Sequence, residues 1–142
     1  MKRQILILMG LLMLTGVAWA QEGHEGHEGM HERGQAEQTV TLTGQIIEPF
    51  CFMEHGASGP DHRTCAQACA NMGINLAFFN DKDHQIYSIL PTEHANPNDK
   101  VVEFAEKHVE VTGTIHKKAG YQAIEIQTIK ELGDGHKISL GE

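Results

Sequence analysis

The sequence predicts a mainly β protein, a small five-stranded barrel with two short helices, and three observations lead to this fold class. Five segments between residues 39 and 129 carry the apolar alternation of β-strands. Two of the segments contain an internal glycine, Gly44 and Gly113, which indicates a bulge or a sharp bend. Two of the other segments form a central hairpin, and one helix is predicted on each side of it.

The N-terminus has the layout of a secretory signal peptide. Lys2 and Arg3 form a short positive region, residues 5–17 are an apolar run, and Ala18-Trp19-Ala20 supplies the small residues of a cleavage site. The run is shorter than the roughly 20 apolar residues of a transmembrane helix, although an uncleaved N-terminal anchor is the alternative. We expect residues 1–20 to be removed, leaving no stable membrane anchor, and the protein to be periplasmic or secreted.

The charge of the processed chain excludes one class of partner. Nine Lys and Arg residues against 19 Asp and Glu residues give the 122 residues after Ala20 a formal charge of −10. Nucleic-acid binding depends on many Lys and Arg contacts to phosphates, so we expect no nucleic-acid partner. A negative chain with 10 His residues is compatible with cation binding.

Residues 21–38 form a linker of Gly, Glu, His and Gln that contains almost no apolar side chain. Such a segment cannot bury enough surface to offset the entropy of ordering, and we expect it to be disordered. It contains a Gly-His-Glu repeat, and His-rich tracts often bind transition metals. His24, His27 and His31 are therefore candidate metal ligands, while a merely solubilising acidic linker is the alternative.

The folded domain is predicted over residues 39–142. Its first strand, 39–47, runs on toward Cys51 and Phe52, and a Gly- and Pro-containing loop follows. Asp61 is a candidate N-cap for an Ala-rich helix over residues 62–72. Gly73 is suited to the left-handed position just past the end of that helix.

The remaining elements follow in order. Strands are predicted at 74–79 and 85–90, joined by the turn 80–83, and at 109–117 and 121–129. A second helix is predicted over 100–108, because its apolar residues share one face. In the polar tail, Ile138 and Leu140 could form a short edge strand.

The element order matches the five-stranded OB barrel, a Greek-key architecture with a helix between the third and fourth strands. Val-Thr-Leu-Thr-Gly at 40–44 and Val-Glu-Val-Thr-Gly-Thr-Ile at 109–115, with the hairpin into Ala-Ile-Glu-Ile, resemble the small exported bacterial OB-fold domains. The resemblance covers about residues 39–131 and implies an OB-fold-like barrel. The Cys/His segment at 51–73 would then be an insertion between the first and second strands, where OB domains place a ligand-binding loop.

The chemistry of the chain is concentrated in that insertion. On a helix, His62, Cys65 and Cys69 fall at roughly 0°, −60° and −20°, and therefore on one face. If Cys51 at the end of the first strand closes onto this face, three thiolates and one imidazole form a tetrahedral zinc set that also suits Cu(I). Met53 and His55 are further candidate ligands nearby.

The three cysteines allow other states. An exported chain meets an oxidising compartment, where Cys51 could pair with Cys65 or Cys69 and leave one thiol free. The helical stripe could also be a core-packing face, because free cysteine is commonly buried. A thiol redox role is a further alternative, in which Cys65 has a lowered pKa near the helix N-terminus and Cys69 resolves its oxidised form.

The leading hypothesis is a periplasmic metal-binding protein that sequesters or transfers Cu(I) or Zn(II). Its partners would be the metal ion and a periplasmic or membrane metalloprotein. Thiol redox activity and a binding or interaction module with a disulfide-stapled loop are the alternatives, and no motif demands an enzyme. Five scattered histidines are predicted to face solvent: His84, His94, His108, His116 and His136.

Overall fold

The computed structural model describes residues 38–140. The predicted signal peptide and the linker histidines His24, His27 and His31 lie outside the described residues. None of the helices in residues 38–140 has the length and apolar character needed to cross a membrane.

Five strands close into a barrel in the order β1-β2-β3-β5-β4. Neighbouring strands are antiparallel except for the parallel pair of β3 and β5. The predicted mainly β fold class and the five-stranded OB-fold-like barrel are therefore confirmed. The strands are β1 (Thr39–Ile47), β2 (Ala77–Asn80), β3 (Ile86–Leu90), β4 (Lys107–Lys118) and β5 (Tyr121–Asp134).

Gly44 lies where β1 pairs with both of its neighbours, opposite Asn80 of β2 and Val109 of β4. A Cβ atom here would collide with the carbonyl oxygen of Phe79 and the ring of Phe78. Glycine is thus required for close packing, and the pairing of β1 runs without a register shift. The register shifts in the barrel lie between β4 and β5.

Two α-helices occupy the connection between β1 and β2: α1 (Pro49–His55) and α2 (Arg63–Asn71). The number of short helices matches the prediction, but α1 was not expected. The helix predicted over residues 100–108 is wrong, because only the 3₁₀ turn Val102–Phe104 forms there. Glu106 has a positive φ of 59° and donates its N–H to the carbonyl of Ile46, so the helix cannot continue.

The core has two parts. The larger fills the barrel with branched and aromatic side chains from every strand, and Ala66 and Ala70 of α2 pack against it. The smaller joins Phe52 of α1 to Phe79 of β2, with ring centroids 6.1 Å apart, and includes Ile138 of the C-terminal tail. Each helix is therefore anchored to the barrel through its own apolar residues.

The C-terminal tail crosses the helical connection as an irregular segment. Residues 135–140 form no strand, so the predicted edge strand at Ile138 and Leu140 is wrong. Instead the N–H of His136 donates to Gln45 Oε1 at 2.9 Å, and that of Ile138 donates to Ser58 Oγ at 2.9 Å. These side-chain acceptors replace the strand partners that an edge strand would need.

Candidate metal centre

Cys51 lies in the first turn of α1 and not at the end of the first strand, as the sequence had indicated. Glu48 caps this helix, with its two carboxylate oxygens accepting from the N–H groups of Phe50 and Cys51, both at 2.8 Å. Pro49 occupies the first turn, where its missing N–H costs nothing. The chain therefore turns into a helix directly after β1, and the Cys51 thiol is held close to the Glu48 carboxylate.

The loop between the helices depends on two glycines with positive φ. Gly56 ends α1 at φ 59°, in the left-handed conformation. Gly59 has φ 91° and precedes the 3₁₀ turn Pro60–His62. Asp61 is thus inside a 3₁₀ turn and is not the predicted N-cap of α2, because the cap position belongs to His62.

The three cysteines converge. The Sγ atoms of Cys51, Cys65 and Cys69 lie within 4.8 Å of one another, and all three thiols are free. Cys65 is exposed, whereas Cys51 and Cys69 are half-buried. The face of α2 that packs on the core carries Ala66 and Ala70. The face that carries Cys65 and Cys69 is therefore not the core-packing face.

His62 joins a different, overlapping group. One nitrogen of its ring, a carboxylate oxygen of Glu48 and the Sγ of Cys51 lie within 4.8 Å of one another. Cys51 belongs to both groups, while His62 does not complete a group with Cys65 and Cys69. In the part of the chain described, the predicted four ligands thus form two sets that share one thiol, and Glu48 is an addition.

The imidazole of His62 is oriented by a fully buried carboxylate. Glu106 accepts from Gln45 Nε2 at 2.9 Å and from the N–H of Gly59 at 2.7 Å, and its Oε1 lies 3.0 Å from His62 Nδ1. A carboxylate that accepts from Nδ1–H leaves the lone pair of a neutral imidazole on Nε2. Nε2 is buried and has no hydrogen-bond partner among the described residues.

The surroundings of Cys51 favour the protonated form of its thiol. The hydrogen bond to Glu48, together with burial and the negative charge of Glu48, raises the pKa of Cys51 to about 12. Burial and the neighbouring Cys65 likewise raise the pKa of Cys69. Burial works to raise the pKa of Glu48, but hydrogen bonds from Cys51 and from the backbone N–H of Phe50, with the attraction of His62, lower it overall.

The two other candidate ligands within the described residues lie in α1. Met53 is 73% exposed on α1, and His55 is exposed at the end of that helix, where its ring makes an edge contact with Phe50. His108, predicted to face solvent, is half-buried in β4, where its Nε2 is 2.7 Å from Asp81 Oδ2.

The chain matches no protein-family model, no curated protein and no solved structure. Function must therefore be inferred from the chemistry of the donor atoms. The thiol group offers three soft ligands, and the group around His62 offers nitrogen, oxygen and sulfur. The described residues can thus hold a metal ion in either group.

Two residues of the centre, Glu48 and Glu106, were not predicted from the sequence. Glu48 could have been found through Pro49, because proline is favoured at the first position of a helix and Glu48 then occupies the capping position. Glu106 had no local signal, since its neighbours resemble a helix and its partners lie 44 to 61 residues away.

Proposed function

We propose that this protein is a periplasmic metal-binding protein that sequesters or transfers a soft transition-metal ion, Cu(I) or Zn(II). The convergence of the Sγ atoms of Cys51, Cys65 and Cys69 within 4.8 Å carries this proposal. The export signal predicted at residues 1–20 supports the location, and the excess of acidic residues supports a cationic cargo.

The spacing of the sulfurs suits an ion. Sulfurs bound at about 2.3 Å around a tetrahedral centre lie roughly 3.8 Å apart, so small side-chain movements would close the cluster. Three thiolates form a soft, anionic set that favours Cu(I) and is also a common zinc environment. Metal binding would replace the thiol protons, including the tightly held proton of Cys51.

The exposure of the cluster supports transfer. Cys65 is exposed, and two exposed apolar side chains lie on or next to the helices that carry the cysteines, Phe50 in α1 and Met72 just past the end of α2. An ion bound at such a surface can be reached by the thiolates of a second protein. A periplasmic or membrane metalloprotein is the partner that this chemistry fits.

Metal titration tests the proposal. Reduced protein without an affinity tag, starting after residue 20, would be titrated anaerobically with Cu(I) and Zn(II) against competing chelators. Binding of at least one ion is expected, with a large loss of Cu(I) affinity in Cys65→Ser and Cys69→Ser and none in the surface control His94→Ala. Absence of binding by the unaltered chain, or indifference to both cysteine substitutions, would contradict the proposal.

The alternative of a thiol redox protein is less well supported. A reactive redox cysteine needs a lowered pKa, and the raised pKa of Cys51 and of Cys69 makes neither of these two thiols suited to that role, although the redox hypothesis places the reactive thiol at Cys65. The alternative of a stapled interaction module requires a disulfide among the cysteines. Mass spectrometry of thiols alkylated directly after release from the periplasm distinguishes it, since a metal carrier retains all three thiols.

A further inference from the structure

The donor atoms around His62 form a site of different chemistry from the three thiols. We propose that Glu48, Cys51 and His62 form a second cation site that takes a divalent ion of the zinc class and competes with the three-thiol site for Cys51. This inference rests on the proposed function, because it requires that the Cys51 thiolate binds metal. The divalent ion and Cu(I) would then each bind to a different set of ligands.

The composition of each group sets its preference. A carboxylate oxygen, an imidazole nitrogen and one thiolate carry two negative charges, which match a divalent ion, and zinc accepts all three donor types. Cu(I) prefers an all-sulfur environment, which, of the two groups described, the one of Cys51, Cys65 and Cys69 provides. Each ion is therefore expected to favour a different group.

His62 has the arrangement of a prepared ligand. Its side chain is only 12% exposed, and Nδ1 is held by Glu106, which is completely buried. Ligand histidines usually donate their second N–H to such a carboxylate, which fixes the orientation of the ring. Leaving Nε2 buried without a partner is unfavourable, and a bound ion would satisfy it.

Glu48 is also held in place. Each of its carboxylate oxygens accepts one backbone N–H at 2.8 Å and retains lone pairs for an ion. When Cys51 loses its proton, its thiolate stands next to this buried carboxylate, and the two negative charges repel each other. A divalent ion between them removes that repulsion, whereas an ion held only by the three thiols does not bind the Glu48 carboxylate.

The shared thiol couples the two sites. The Sγ of Cys51 lies within 4.8 Å of the donor atoms of both groups, so one thiolate would have to serve both ions. A thiolate shared between two ions donates less charge to each of them, and the two cations also repel each other. Binding of a divalent ion is therefore expected to weaken Cu(I) binding. By linkage, bound Cu(I) weakens binding of the divalent ion by the same factor.

Matched substitutions separate the two sites. Zn(II) and Cu(I) dissociation constants would be measured anaerobically for His62→Ala, Glu48→Gln, Cys65→Ser and the control His94→Ala, with circular dichroism to verify folding. His62→Ala and Glu48→Gln are each expected to weaken Zn(II) binding at least tenfold, and neither should weaken Cu(I) binding more than twofold. Cys65→Ser is expected to have the opposite pattern, and His94→Ala no effect.

Absorption spectroscopy of the protein loaded with Co(II) tests the second site without any substitution of His62 or Glu48, so the folding of those variants does not matter. Because thiolate-to-cobalt charge-transfer absorption grows with the number of bound thiolates, the unaltered protein should show the intensity of one Co–S bond. That absorption should persist in Cys65→Ser and disappear in Cys51→Ser. An intensity of three Co–S bonds that falls in Cys65→Ser would overturn the proposal.

Failure of this inference is distinguishable from failure of the proposed function. Zn(II) binding that is lost in Cys65→Ser but unchanged in His62→Ala would overturn the second site and leave a metal-binding protein. No binding of either ion by the unaltered chain would overturn both proposals.

Discussion

His62 Nδ1 lies 3.0 Å from Glu106 Oε1, although 44 residues separate the two in the chain. The contact joins the helical connection to the residue just before β4. Because the same carboxylate also accepts from Gln45 and Gly59, it fixes the position of His62 relative to the barrel.

Glu106→Ala is expected to destabilise the metal-free protein by about 2–4 kcal/mol, because several buried donors would lose their acceptor. Urea unfolding of the reduced protein measures the change. Glu103→Ala is the control, since that side chain is exposed and its removal should alter stability by less than about 0.5 kcal/mol. Equal effects of the two substitutions would rule out a structural role for the buried carboxylate.

Gly59→Ala is expected to be more damaging than Gly73→Ala. Both glycines have positive φ, 91° and 98°, and alanine at either position incurs backbone strain of about 1–3 kcal/mol. A Cβ at Gly59 would also lie 2.9 Å from the carbonyl carbon of His136, whereas nothing lies within 4 Å of one at Gly73. Thermal unfolding of the two variants would show equal losses if the tail did not pack against Gly59.

Cys65→Ser and Ala66→Leu are expected to differ in their effect on the stability of the protein, although the two residues are adjacent. Cys65 is exposed, so serine should change the stability of the metal-free protein by less than about 0.5 kcal/mol. Ala66 is completely buried, and leucine there should cost about 1–3 kcal/mol through overpacking. Denaturant unfolding with similar losses for both would mean that the thiol face packs on the core.

The stability of the metal-free protein is expected to fall in alkaline solution because of Cys51. Its pKa is raised in the folded state from 9.0 to about 12, so the folded protein binds this proton more tightly than the unfolded chain does. The resulting stability is complete below pH 9 and is lost as the pH rises toward 12. Unfolding free energies between pH 8 and pH 10.5 should therefore fall less steeply in Cys51→Ser than in the unaltered protein.

The barrel was predictable because strand periodicity is a local signal. Val109 and Val111 of β4, and Ile124 and Ile126 of β5, alternate with polar residues and are buried in the structure. The convergence of Cys65 and Cys69 was predictable for a similar reason, since both lie on one helix face.

The rest of the site depends on contacts between distant residues. The residues 100–108 have a helical pattern, but the pairing of Glu106 with Ile46 stops the helix. The position of Cys51 depends on Glu48 and Pro49 starting α1 immediately after β1, a start signal that the strand pattern of the preceding residues obscured. A buried carboxylate that orients a histidine 44 residues earlier leaves no trace in the local sequence.

The residues that pack around the three thiols are synthesised after the thiols themselves. Ribosomes make the chain from its N-terminus, so Cys51, Cys65 and Cys69 exist before Glu106, His136 and Ile138, whose contacts hold their surroundings in place. In an exported chain, as the sequence predicts, the three thiols would meet an oxidising environment while these contacts are still unformed. Protection of the thiols from wrong disulfides during that interval would then depend on early metal capture or on rapid closure of the barrel.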